Sequence, residues 1–309
     1  MRVDLPNTTV SQVNRSLQNL RESGGVVALG RVLTLLVHTD FAGIESAVAA
    51  ANGASRLHPA RVIVLALDAR GGRSAARLDA QIRVGGDAGA SEVVVLRGYG
   101  AAADNIESLV SGLMLSDAPV VCWWPTAGPE NLSGHQLGRL ASRRISDSAA
   151  HADPQQYLRK LAKNYSPGDG DMAWTRISLW RAQLAALFEL HLERKLKQVR
   201  VIGSVDSPSA DLLSIWLTQR LEKRVELVRT LGSKSVKGIA GVEFTFSDGE
   251  LKIHRPREVA LIQQTGLPDS SVLLPRRSDQ DCLVEDMRFL GEDRTFGELL
   301  QTWLQNTKS

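Results

Sequence analysis

Arg61-Val62-Ile63-Val64-Leu65-Ala66-Leu67 is the stretch that decides the fold, because an uninterrupted apolar run follows Arg61. A continuous rather than alternating apolar run predicts a strand buried on both faces, as in a parallel sheet covered by helices. Runs of the same kind occupy residues 32–37, 92–97 and 119–124. Predicted helices at 44–51 and 101–115 lie between these strands. The first half therefore predicts an α/β domain with a doubly wound, mostly parallel sheet.

One segment of this half has a different pattern. In residues 78–84, apolar side chains alternate with polar ones, at Leu78, Ala80, Ile82 and Val84. Alternation is typical of a strand with one face toward solvent. We therefore expect residues 78–84 to form a more exposed strand, at an antiparallel edge of the sheet.

The length of the chain, 309 residues, favours two domains over one. The turn-rich stretch Ser166-Pro167-Gly168-Asp169-Gly170-Asp171 is the predicted break between them. This places an N-terminal α/β domain at 1–165 and a C-terminal α/β domain at 166–309.

The C-terminal domain is predicted to open with a long amphipathic helix. One face of this helix carries apolar residues from Ile177 to Phe188, and the helix is expected to end in Arg194, Lys195 and Lys197. Strands are predicted at 199–202 and 225–228 with a helix at 210–223 between them, then a hairpin turning at Asp248-Gly249 and a last helix at 296–304. The domain is therefore a βαβ unit followed by a β-meander.

The charge and the cysteine content exclude few classes of function. The net charge is +3, with basic residues in excess over 193–237 and acidic ones over 279–298. Two solvated faces explain these segments, with an electrostatically steered protein partner or nucleic acid as alternatives. Cys122 and Cys282 have no metal-ligand or disulfide spacing, and the sequence shows no signal peptide and no apolar run long enough to span a membrane. These features predict a cytoplasmic protein.

One motif suggests a cofactor. Gly98-Tyr99-Gly100-Ala101-Ala102-Ala103 has the form G-x-G-x-x-A between a predicted strand and helix, as in dinucleotide-binding folds. That fingerprint also requires an acidic residue about 20 positions further on, at the end of the next strand. Here the next strand ends in Trp123-Trp124-Pro125 instead. A tight turn without a cofactor is therefore the favoured interpretation.

Other catalytic signatures are absent from the sequence. It contains no G-x-S-x-G elbow, and its six histidines are scattered singly without zinc-ligand spacing. Acidic pairs such as Glu285-Asp286 lie in a stretch that is predicted to be solvated. We therefore predict a protein that is not an enzyme and that holds no cofactor and no metal.

Four residues are the candidates for binding a partner or ligand. Trp123 and Trp124 end a predicted parallel strand, at the edge where open α/β sheets place their binding crevice. Arg143 and Arg144 follow and could bind a phosphate or carboxylate bidentately. Core packing of the two rings and salt bridges within the chain are the structural alternatives.

Several of these segments, taken in order, resemble the OpcA family. The similar segments are Gly30-Arg31-Val32-Leu33-Thr34-Leu35, His58-Pro59-Ala60-Arg61-Val62-Ile63-Val64, Asp79-Ala80-Gln81-Ile82-Arg83-Val84, Pro119-Val120-Val121-Cys122-Trp123-Trp124-Pro125, Arg143-Arg144-Ile145-Ser146-Asp147-Ser148 and Asp171-Met172-Ala173-Trp174-Thr175-Arg176-Ile177-Ser178-Leu179-Trp180-Arg181. No single segment is a catalytic signature. Their ordered combination over nearly the whole chain makes the resemblance specific.

The resemblance implies a non-catalytic partner, an assembly protein and allosteric activator of glucose-6-phosphate dehydrogenase in the oxidative pentose phosphate pathway. It supplies no catalytic residues and implies no nucleic acid, membrane or metal partner. Photosynthetic members are associated with redox control through cysteines, which the two cysteines of this chain do not support. The alternative is a small-molecule enzyme that acts on a nucleotide or sugar phosphate at Gly98 and at Arg143-Arg144.

Overall fold

The computed structural model describes residues 1–23, 32–68, 76–84, 92–230 and 238–306. Gly30 and Arg31 of the family segments and residues 231–237 of the basic stretch lie outside these ranges. The chain forms two compact units that interleave along the sequence. Unit 1 comprises 1–150, 164–170 and 279–293, and unit 2 comprises 151–163, 171–278 and 294–309. A single domain boundary after residue 165 stays a prediction.

Unit 1 is built on the strands of an eight-stranded sheet. These are β1 (Arg2–Leu5), β2 (Leu33–Thr39), β3 (Ala60–Asp68), β4 (Arg77–Arg83), β5 (Glu92–Tyr99), β6 (Val120–Trp123), β7 (Arg143–Ser146) and the short β8 (Asp169–Asp171). Its helices are α1 (Val10–Ser23), α2 (Ile44–Ala54), α3 (Ile106–Ser111), α4 (Gln136–Leu140) and, from the far end of the chain, α9 (Asp279–Arg288). The strand order is β1-β4-β5-β3-β2-β6-β7-β8.

Five neighbouring strands of this sheet, β5-β3-β2-β6-β7, are parallel. Counted in order of appearance along the chain, they run 3-2-1-4-5, the order of doubly wound dinucleotide-binding sheets. Continuous apolar sequence explains the burial, since Val62, Ile63, Val64 and Leu65 are all fully buried in β3. The predicted fold class, a doubly wound mostly parallel sheet, is confirmed.

The prediction for residues 78–84 is only half correct. Strand β4 is antiparallel to β5, as expected, but β1 pairs with its other side and β1 is the edge strand. Gln81 and Arg83 of β4 are buried because partners satisfy them: the Arg83 Nε donates to Gln81 Oε1 at 2.7 Å, and Arg83 Nη1 donates to Glu45 at 2.8 Å. These polar residues, which alternate with apolar ones in this strand, form buried hydrogen bonds, and they do not mark a solvent-exposed face of the sheet.

Three further expectations in unit 1 need correction. The helix predicted at 101–115 is shorter, because Asn105 caps a new helix by accepting from the Ser108 amide at 3.2 Å. The turn-rich break at 166–171 ends in β8, where Asp169 is fully buried. The acidic stretch predicted to be solvated contains α9, which packs on α2 and buries Asp286.

Unit 2 contains a six-stranded sheet in the order β10-β9-β11-β12-β13-β14. Its strands are β9 (Leu196–Ser204), β10 (Glu226–Thr230), β11 (Ile239–Phe246), β12 (Gly249–His254), β13 (Val259–Gln264) and β14 (Ser270–Leu273). Its helices are α5 (Pro154–Lys163), α6 (Met172–Thr175), α7 (Ser178–Glu189), α8 (Pro208–Leu221) and α10 (Arg294–Asn306). β9 and β10 are parallel and joined by α8, and β11 to β14 form an antiparallel meander. The predicted βαβ unit and meander are confirmed.

The amphipathic helix of unit 2 ends earlier than predicted. Helix α7 stops at Glu189, and Lys197 already lies in β9. Arg194 does not cap the helix; its guanidinium lies 4.2 Å from the centre of the Phe246 ring and forms an ion pair with Asp248. The hairpin turns at Ser247-Asp248, one residue before the predicted position, and Gly249 follows at φ +148°.

Candidate functional site

The candidate site lies where the parallel sheet of unit 1 changes direction. Strands β2 and β6 are neighbours, and from β2 the chain first builds the sheet toward β3 and β5, then returns to add β6 on the other side. In open α/β sheets the crevice at the carboxyl ends of such a strand pair is the usual ligand site. Val37 pairs with Trp123, so the next pair, His38 and Trp124, stands at this edge.

Aromatic rings contact one another across this crevice. The Trp124 ring meets the His135 ring edge-on, with centroids 5.5 Å apart, and His135 stacks on His38 at 5.8 Å. Trp124 is only 1% exposed. His135 is held in place because its Nδ1 accepts from the Leu137 amide at 3.2 Å, which caps α4. The protein's own rings therefore occupy the space at the crevice mouth.

A carboxylate stands at the N-terminus of α2, beside the same crevice. Asp40 Oδ1 accepts from the Gly43 amide at 2.7 Å. A Cβ on Gly43 would lie 2.3 Å from Thr39 Oγ1, so the turn admits only glycine. Dinucleotide-binding folds place a pyrophosphate at the N-terminus of the helix after their first strand. Here the negative charge of Asp40 disfavours a phosphate at that point.

The glycines of the G-x-G-x-x-A motif have structural roles. A Cβ on Gly98 would lie 2.7 Å from Leu67 Cδ2, so this glycine allows β5 and β3 to pack closely. Gly100 has φ +55° and begins a single 3₁₀ turn, Gly100–Ala103. These positions require glycine without any ligand.

Both crevice histidines are held in the neutral form at neutral pH. Burial, and next the charge of His135, lower the pKa of His38 to about 4. Burial and the nearby Arg139 lower the pKa of His135. Neutral rings pack against Trp124 without the cost of burying a charge.

The pKa of His38 predicts how stability depends on pH. The unfolded chain takes up a proton at the ordinary pKa of 6.5, and the folded chain only near 4. Stability is therefore complete above pH 6.5 and falls as the pH is lowered toward 4, by on the order of 3 kcal/mol. We expect a His38→Phe variant to lose much less stability than the wild type between pH 7.5 and 4.5, measured by urea denaturation. Equal losses in the two proteins would contradict the assignment.

The four residues singled out from the sequence lie inside unit 1. Trp123 and Trp124 are each 1% exposed, Arg143 is 4% and Arg144 is 8% exposed. Arg143 Nη2 donates to Asp286 Oδ1 at 2.5 Å. The two structural alternatives, core packing and salt bridges within the chain, therefore describe these side chains in the isolated protein. Contact of a partner with them stays a prediction.

Arg144 connects β7 to the chain around β8. Its Nε donates to Asp169 Oδ1 at 2.5 Å, its Nη1 to the Ala141 carbonyl at 2.8 Å and its Nη2 to the Pro167 carbonyl. Burial raises the pKa of the Asp169 carboxyl, and hydrogen bonds from Arg144 and the Ser166 amide oppose that shift. The partners Asp169 and Asp286 were not identified from the sequence, because their pairing depends on residues distant in the chain.

Both cysteines are buried free thiols. Cys122 lies on β6 and Cys282 on α9, and both belong to unit 1. Burial raises the pKa of the Cys122 thiol well above its ordinary value, which keeps it protonated and unreactive.

The expectation that activation of a partner is indifferent to redox conditions stays a prediction. Treatment with dithiothreitol or mild oxidant should leave such activation unchanged, because buried thiols react slowly. Activity assays of the mixture after each treatment measure this. Loss on oxidation that a Cys282→Ser change prevents would contradict it.

The described residues include no group of three or more His, Cys, Asp or Glu side chains arranged to hold a metal ion. Every helix in the same part of the chain is too short or too polar to span a bilayer.

The strand order defines an α/β protein with a dinucleotide-type sheet, and the protein's own aromatic rings pack together at the carboxyl ends of β2 and β6. The chain belongs to the OpcA family of glucose-6-phosphate dehydrogenase subunits. Residues 51–163 match the family model described as the glucose-6-phosphate dehydrogenase subunit N-terminal domain, and residues 167–300 match the C-terminal one. The resemblance seen in the sequence is confirmed.

A curated relative and several solved structures are also similar. A candidate OxPP cycle protein OpcA from Synechococcus elongatus is 30% identical over 138 residues, which are 42% of this chain and 31% of that protein. The match therefore spans about a third of the relative's length. An oxidoreductase from Sinorhizobium meliloti is 12% identical, with 82% and 85% of the two chains covered and a TM-score of 0.46. A UDP-N-acetylglucosamine 3-dehydrogenase from Acidithiobacillus ferrooxidans is 8% identical, with coverage of 88% and 96% and a TM-score of 0.45.

Proposed function

We propose that this protein binds glucose-6-phosphate dehydrogenase and supports its active oligomer without catalysing a reaction itself. The observation that carries the proposal is the match of both halves of the chain to subunit domains of that enzyme. The crevice supports the non-catalytic part, because Asp40 and the rings of Trp124 and His135 stand where a dinucleotide-type sheet would bind its cofactor.

The alternative, an enzyme acting on a nucleotide or sugar phosphate, has weaker support. It needs the glycine turn at Gly98 and the guanidinium groups of Arg143 and Arg144 to face a ligand. The glycines are accounted for by packing and by backbone conformation. Both guanidinium groups are buried against carboxylates. We therefore favour the binding protein.

We also propose where the partner binds and where the protein resides. The carboxyl edge of the parallel sheet remains the proposed contact, with the buried Trp123, Trp124, Arg143 and Arg144 supporting it from inside. Exposed side chains such as Arg139, 55% exposed on α4, would make the direct contacts. A cytoplasmic location is supported by two buried cysteines that form no disulfide among the described residues, as in a reducing compartment. Nucleic acid, membrane and metal are not among the proposed partners.

Mixing with the cognate dehydrogenase tests the proposal. We expect the two proteins to co-elute at micromolar concentration, and the specific activity of the dehydrogenase or its resistance to dissociation to rise. This protein alone should not reduce NADP in the presence of glucose 6-phosphate. Size-exclusion chromatography with light scattering and an absorbance assay give both measurements. Independent elution with unchanged activity, or turnover by this protein alone, would count against the proposal.

A further inference from the structure

Arg255 is a buried cation at the end of β12 in unit 2. This residue is only 7% exposed. Nη2 donates to the Ile239 carbonyl at 2.9 Å and Nη1 to the Leu274 carbonyl at 3.4 Å. Nε is buried and has no acceptor within the described residues. The guanidinium is therefore fixed in position by neutral groups, with one donor unused.

No carboxylate of the described chain pairs with Arg255. Its other neighbours are the Trp180 ring, whose centre lies 5.1 Å from the guanidinium carbon, and the positive charge of Arg276. Burial and Arg276 together lower the pKa of Arg255 to about 10, so the group is still charged at neutral pH. Residues 231–237, outside the described ranges, include two lysines and no acid. A buried charge without a counter-charge is unfavourable by several kcal/mol, so such groups are normally paired.

The surroundings of Arg255 have the layout of a ligand site. Ile239, which Arg255 binds, pairs with Gly203 near the carboxyl end of β9, in the βαβ unit of β9, α8 and β10. Carboxyl ends of parallel strands are where α/β folds bind ligands. Gly238 has φ +80°, and Arg276 Nη1 lies 3.4 Å from where its Cβ would be. Trp180 Nε1 is a second buried donor without an acceptor in the described chain.

We propose that Arg255 and Arg276 bind a small phosphate-bearing anion at the carboxyl end of β9. Arg276 is exposed and offers the point of entry, and Arg255 is the buried, fixed charge beside it. A phosphate dianion supplies the counter-charge that Arg255 lacks among the described residues and accepts from several donors at once, which a single carboxylate does less well. This site is separate from the crevice of unit 1 and does not depend on the proposed partner.

Inorganic phosphate is the probe for a melting experiment at constant ionic strength. We expect a saturable rise in the melting temperature of the full chain, about 3 °C at a concentration ten times the Kd. The Arg276→Ala variant should lose the rise. Arg257→Ala, which removes an exposed arginine two residues from Arg255, should keep it. The absence of a saturable rise in the wild type, or an equal rise in Arg276→Ala, would overturn the proposal, as would an equal rise with acetate.

A second variant separates a binding role from a structural one. Arg255→Met keeps an unbranched chain of similar length and removes the charge. We expect it to melt at or above the wild-type temperature without phosphate, because an unpaired buried charge is gone, and to show no rise with phosphate. If Arg255 serves only the two carbonyls, the variant melts lower by the same amount at every phosphate concentration, and the proposal fails. If this variant does not fold, the comparison of Arg276→Ala with Arg257→Ala still decides.

Discussion

Replacing Asp286 by alanine is expected to lower the free energy of unfolding by about 3–5 kcal/mol, because it leaves a buried guanidinium without a counter-charge. The side chains of Arg143 and Asp286 are 5% and 3% exposed, and they meet at 2.5 Å. Nε and Nη1 of Arg143 have no other acceptor in the described chain. Asp286 is therefore the one carboxylate among the described residues that forms an ion pair with this guanidinium, and Asp169 contributes only a longer-range attraction.

The same pair allows a double-mutant test. Asp286→Leu combined with Arg143→Met should recover most of the lost stability, since replacing a whole buried ion pair by apolar groups is often neutral or stabilising. Glu292→Ala is the matched control, because it removes a carboxylate that is exposed and should change stability by less than about 0.5 kcal/mol. Urea denaturation of the four proteins gives the values. A loss below about 1 kcal/mol for Asp286→Ala would show that the guanidinium finds another partner.

The sequence predicts the architecture well where burial follows from apolar pattern alone. The runs that became β2, β3, β5 and β6 are apolar on both faces, and a strand of that kind is stable only between two helical layers. The meander of unit 2 was predictable for a related reason, since β11 from Val242 onward and β12 alternate on either side of a tight turn that Gly249 follows. Local pattern is enough to predict these strands because the burial of each one follows from its own residues.

Buried polar residues were the part that sequence could not place. The Asp-Gly-Asp stretch at 169–171 has the composition of a turn, and 279–288 has the composition of a solvated helix. Asp169 and Asp286 are buried because arginines on β7 meet them from distant positions in the chain. No local pattern encodes such a pairing. Helix α1 is different, because Val13 and Leu17 already showed helical spacing and could have been recognised.

The crevice also combines one feature that the sequence predicts with another that it does not. The sequence predicts that two tryptophans end a parallel strand at the carboxyl edge of the sheet, and the structure places Trp124 there. The structure also brings His38 and His135 to the Trp124 ring. Their contact depends on the pairing of β2 with β6 and on the position of α4, because the two histidines are about a hundred residues apart in the chain. The packing of these rings thus depends on the tertiary structure and not on local sequence. Because Trp124 is buried, exposed residues near it, such as Arg139, are the candidates for direct contact with a partner.

Arg144→Ala is expected to lower the free energy of unfolding by about 3–5 kcal/mol, because it breaks a buried ion pair by removing one partner. The change leaves Asp169, which is fully buried, without its charged partner. It also removes donors to the carbonyls of Ala141 and Pro167. Arg144→Lys should recover only part of this, because an ammonium cannot hold three acceptors in the plane of a guanidinium.

Arg139→Ala is the matched variant for the proposed contact surface. Its side chain is 55% exposed and lies 3.9 Å from Glu107, so its loss should change stability by less than about 0.5 kcal/mol. If the partner binds the carboxyl edge of the sheet, Arg139→Ala should weaken the complex with the dehydrogenase while melting normally, and Arg144→Ala should weaken it only in proportion to unfolding. Melting curves and titration of the complex at one temperature separate the two effects. Normal affinity in Arg139→Ala, or normal melting in Arg144→Ala, would contradict this division between a contacting and a supporting arginine.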